Sequence, residues 1–188
     1  KRQGSILIAG YTYSSIDQQT NNGLTDAFIS KYNSDGTKAW TKLLGGSSYE
    51  YAFSATTASD GSIYIAGYTY GSIDQQVNNG QADAFISKYN SDGTKVWTKL
   101  LGGSSYDSAN SVATASDGSI YLTGYTYGSI DQQANNGSRS EFISKFYSDG
   151  TKAWTKLLSG SGDYVVSRAT TASDGSTYIS GYTYGSID

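Results

Sequence analysis

The sequence predicts an all-β fold of β-propeller-type blades, on three observations. A 57-residue unit repeats without insertion: Gly10-Tyr11-Thr12 returns at Gly67, Gly124 and Gly181, and Trp40 returns at Trp97 and Trp154. Each unit carries four short strand-like runs, with period-two alternation in Tyr51–Ser59 and Asp83–Tyr89. Asp-Gly and Asn-rich turns separate the runs, and no segment holds a 3.6-residue apolar stripe with helix caps. The prediction is three four-stranded repeats plus one extra strand segment, because Gly175–Asp188 restarts what Gly4–Asp17 begins. A β-solenoid or an open stack of small sheets is the alternative arrangement of such units.

The unit that begins at Tyr51 justifies each element in turn. Tyr51–Ser59 alternates, and Asp60-Gly61 turns the chain into a second strand, Ser62–Tyr70, rich in Ile and Tyr. The polar stretch Gly71–Gly80 is a loop. Asp83–Tyr89 is the third strand and Thr94–Leu101 the fourth, joined by the tight turn Asn90–Gly93. Units then run from about 1–50, 51–107 and 108–164, with 165–188 starting again, as a single repeat domain.

Composition agrees and excludes several functions. The 18 Tyr, 3 Trp and 23 Gly suit strands and turns. A net charge of −3 with no Lys/Arg run argues against a nucleic-acid partner, which needs a basic surface. No apolar stretch approaches the roughly 20 residues of a membrane helix. The chain has neither His nor Cys, so the commonest general base and the thiolate nucleophile are missing, and no enzyme is expected. No cofactor is expected either, calcium apart.

The strings SDGSIYIAGYT (59–69) and DAFISKYNSDGTKAWTKLLGG (26–46) resemble the SBBP-type β-propeller repeat of large secreted bacterial and cyanobacterial proteins. The resemblance covers essentially the whole chain. It implies a propeller fold and a secreted or cell-surface setting, and it implies little about activity.

Three candidate functions follow from the residues. Propellers have four to eight blades, so an arc of three predicts self-association through terminal strands or through further blades of the same protein. This leads to a non-catalytic extracellular scaffold with a self-assembling or adhesive surface. Repeated aromatics offer faces on which sugar rings stack, so a glycan-binding propeller would use Tyr11, Tyr13, Tyr68, Tyr70, Tyr125 and Tyr127. A calcium ion needs several oxygen ligands, and the first two loops offer Asp17 with Asp26 and Asp74 with Asp83. In the third loop Ser140 stands where Asp83 does, and Glu141 follows it.

Overall fold

The computed structural model describes residues 4–135, 139–158, 164–172 and 176–183, with backbone alone at 164–167 and 183. Among the described residues thirteen strands form four antiparallel sheets in chain order. The first sheet holds β1 (Ile6–Thr12), β2 (Asp26–Tyr32) and β3 (Lys38–Leu44). The second holds β4 (Glu50–Thr57), β5 (Ile63–Thr69), β6 (Asp83–Tyr89) and β7 (Lys95–Leu101). The third repeats it 57 residues on as β8 (Asp107–Thr114), β9 (Ile120–Thr126), β10 (Ser140–Phe146) and β11 (Lys152–Leu158). β12 (Tyr164–Thr171) and β13 (Thr177–Thr183) begin the next.

Within each sheet the strands pair in sequence order as an up-and-down meander. A solenoid would instead pair successive repeats in parallel, so these units are propeller blades, stacked in an arc that the described residues do not close. The predicted strands appear with their ends shifted by two residues at most.

The sheets pack face to face, and the core lies between them. In β5, Ile63 and Ile65 enter the first junction with Ala27, Ile29 and Leu44, while Tyr64 and Ala66 point the other way, to Ile120, Leu122 and Phe142. Residues of opposite parity thus serve opposite cores, as the two-residue strand period requires. The inner strands β4, β8 and β12 lie side by side and are stitched at a repeated position. Ser54 Oγ accepts the Val112 N–H and Ser111 Oγ accepts the Ala169 N–H, both at 3.1 Å.

The third-to-fourth strand turns fix the outer junctions. At Asn33–Thr37, Asn90–Thr94 and Tyr147–Thr151 the glycine takes φ of 84–87°, the left-handed region that closes such a loop. Trp40 lies over the Gly93 turn and Trp97 over the Gly150 turn, each indole donating to a serine carbonyl (Ser91 and Ser148) at 3.3 Å. Lys31 and Lys88 donate to the same two carbonyls at 2.9 Å. The tryptophans therefore seal blade against blade.

Candidate functional site

The six tyrosines singled out as a glycan platform lie in one belt along an edge of the sheets. Ring contacts run unbroken from Tyr13 through Tyr11, Tyr51, Tyr68, Tyr106 and Tyr125 to Tyr127, with centroids 4.7–5.8 Å apart at each step. Tyr70 joins through Tyr68 and Tyr106. The repeat alone pairs neighbours such as Tyr68 and Tyr70. Three further members, Tyr49, Tyr51 and Tyr106, enter because the first residues of the inner strands dock there. Tyr51 is not periodic, since Ser108 takes its place, and Tyr49 and Tyr106 recur 57 residues apart but lie in the connection before each inner strand, outside the motif that carries the other tyrosines.

The belt is a wet aromatic surface. Tyr13 is 70% exposed, and Tyr70 and Tyr127 are 44% and 46% exposed. Ser48, Tyr49, Tyr51 and Tyr70 frame a depression of about 480 Å³. Burial pushes the phenols of Tyr51, Tyr68 and Tyr106 up, and at Tyr106 the neighbouring Tyr68 and Tyr125 add to it. Those hydroxyls stay protonated near neutral pH and can donate. Arg139 lies over the Tyr125 ring at 4.1 Å and pairs with Glu141 at 2.9 Å.

The four aspartates considered for calcium divide into two kinds. Asp17 accepts from Lys38 and from Thr41, and Asp74 and Asp131 accept from Lys95, Thr98, Lys152 and Thr155 in the same way. The Lys38 ammonium and the Thr41 hydroxyl hold the Asp17 carboxyl below the usual range. These bonds tie each loop to the fourth strand of its own blade. The loop also turns on two left-handed residues, Asp74 and Gln75 (φ 49° and 61°), and is plugged into the core by buried Ile73. An isoleucine inside a polar loop was the sequence signal for that plug.

Asp26 and Asp83 instead sit fully buried at the blade junctions, each accepting a loop amide, from Asn22 and Asn79, at 3.1 Å. They share those junctions with Glu50 and Asp107, also fully buried. Glu50 takes the Gly46 N–H and the Thr69 hydroxyl, both at 2.8 Å, and Asp107 takes the Gly103 N–H at 2.8 Å. Burial pushes all four acids up, Asp83 to about 6. Among the described residues no three His, Cys, Asp or Glu gather closely enough to share a metal ion.

A model of the SBBP beta-propeller repeat matches residues 96–131. A model described as a domain of unknown function (DUF5122) beta-propeller matches residues 4–38 and 58–95. The chain belongs to the β-propeller repeat proteins. Among curated proteins it is similar to a regulatory protein, FlaEY, of Caulobacter vibrioides, 26% identical over 164 residues. That match covers 78% of this chain and 17% of the Caulobacter protein, so the chain spans about a sixth of that relative's length. As a β-propeller repeat protein the chain is a structural repeat module, each unit supplying one blade.

Proposed function

We propose that this repeat module is a non-catalytic, extracellular scaffold whose arc is extended by the same junction that joins its own blades. The twofold recurrence of that junction, Trp40 on the Gly93 turn and Trp97 on the Gly150 turn, carries the reading. The matching halves lie open at either side of the arc. Nothing described lies within 4 Å of the Cβ position at Gly36, and Trp154 is 37% exposed. A further unit, in the same chain or in a second copy, fits this pair without new chemistry, and a heterologous contact of this kind builds rings or filaments. Light scattering on the 188-residue chain should show association that grows with concentration. Trp154→Glu should weaken it at least 10-fold and leave the melting temperature of the dilute protein unchanged. A chain that stays monomeric at all concentrations, or associates regardless of Trp154, would refute the reading.

The tyrosine belt favours a second reading, in which the scaffold adheres to glycans. Stacked sugars gain from flat, half-exposed rings, and sites repeated along a rigid arc add avidity. Tyr70→Ala and Tyr127→Ala should each lower retention on a polysaccharide column by roughly 3- to 10-fold, the loss of one aromatic contact. Unchanged retention in both variants would exclude the belt as the adhesive face.

A further inference from the structure

The inner strands β4, β8 and β12 enclose an open cavity of about 450 Å³, within the range of small-ligand sites. Each inner strand shifts register there, between Ala52 and Ser54, Ala109 and Ser111, and Val166 and Arg168. The repeat-equivalent residues after the shift are Ser54, Ser111 and Arg168, and all three line the cavity. The two serines each accept a backbone N–H from the next inner strand. A hydroxyl that accepts still has its own proton to give.

Arg168 departs from the repeat where the departure matters. It brings a fixed positive charge to the cavity wall and has no carboxylate partner among the described residues. Arg139, the other described arginine, is engaged by Glu141. The arginine's planar fork matches a carboxylate with two parallel hydrogen bonds. Phe53, 49% exposed, also lines the cavity, its ring 5.6 Å from that of Tyr68 in the belt. It offers an apolar face for the carbon skeleton of a ring. A single cation balances the single negative charge of a carboxylate.

We propose that this cavity binds a hexuronic acid, free or as one residue of an acidic polysaccharide. The carboxylate pairs with Arg168, the ring lies against Phe53, and Ser54 and Ser111 donate to its oxygens. The site does not depend on end-to-end association, and it meets the tyrosine belt only where Phe53 lies against Tyr68. It lies among the inner strands, away from the open Gly36 and Trp154 surfaces.

Titration calorimetry with trigalacturonate, galacturonate monomer and neutral maltotriose tests it. Trigalacturonate should bind once per chain, more weakly as salt rises. Arg168→Ser, which restores the residue the other two repeats carry and so should fold, should weaken binding roughly 10- to 100-fold, the range for a charged hydrogen-bonded pair. Arg168→Lys should fall between. Monomer binding with the same arginine dependence assigns the site to the free sugar, and binding of the trimer alone assigns it to the polymer. Equal binding by Arg168→Ser, equal binding of maltotriose, or no binding of either uronate would overturn the proposal.

Discussion

Gly67→Ala is expected to cost about 4 kcal/mol or more, a large part of the stability of a domain this size. A Cβ at Gly67 would stand 1.7 Å from the carbonyl oxygen of Tyr51, 2.7 Å from its carbonyl carbon and 2.9 Å from Ala52 Cα. These are backbone atoms, so no rotamer change relieves the clash. β4 must leave β5 at the register shift between Ala52 and Ser54, and Ala52 and Ile65 are then drawn out of the first core. Gly124→Ala should behave alike, with Ser108 O at 1.9 Å. Gly10→Ala is the control: in the three-stranded sheet the Cβ meets only the edge of the Phe28 ring, at 2.9 Å. A side chain can give way, and the cost should be about 1 kcal/mol. Denaturant unfolding of the three variants decides it. Equal losses at Gly10 and Gly67 would show that the inner strand does not crowd its neighbour as described.

Those glycines also mark what a sequence can and cannot tell. Gly10, Gly67 and Gly124 are the same letter in the same motif, and the period they define led directly to the blades, the hairpins and the strand order. Their different tolerance depends on whether an inner strand lies alongside, which no local pattern encodes. The tyrosines at 11, 68 and 125 and at 13, 70 and 127 were visible as repeats, because each lies within its unit. The belt they belong to was not, since Tyr51 and Tyr106 reach it across sheets. Ser62–Tyr70 read only as a strand rich in Ile and Tyr, and Ile63 and Tyr64 are both buried because a middle blade has a neighbour on each side. Asp17, read as a loop carboxylate beside Asp26, bonds Lys38 and Thr41, residues 21 and 24 positions away on another strand. Glu50 recurs as Asp107 and then as Tyr164. The structure places Glu50 and Asp107 beside Asp26 and Asp83, and in the third unit both acidic positions change together, to Ser140 and Tyr164.

Asp83→Asn is expected to stabilise the protein at neutral pH and to flatten its dependence on pH. Asp83 Oδ2 accepts one amide, from Asn79, while the buried Oδ1 has no hydrogen-bond partner. Burial, and to a smaller extent the charge of Asp107, raises its pKa to about 6, against roughly 3.9 for an unfolded aspartate. The folded state therefore holds the proton more tightly than the unfolded chain. The stabilisation is complete below about pH 4, is lost as pH rises through 6, and changes little above that. Two pKa units correspond to about 3 kcal/mol. Asp26, Glu50 and Asp107 shift in the same direction and deepen the loss. The exposed turn aspartates Asp35, Asp92 and Asp149 are lowered by their hydroxyl and amide donors, so they lose stability only as pH falls below about 4. The two sets place the stability maximum near pH 4–5. Asparagine keeps an oxygen for the Asn79 amide and removes one of two facing charges. Unfolding at pH 4.5 and 7.5 should show the unmodified chain weaker at the higher pH, and Asp83→Asn should recover up to about 3 kcal/mol there with little change at the lower pH. A chain equally stable at both, or a variant weaker at pH 7.5, would mean that the buried acids already have their charge compensated.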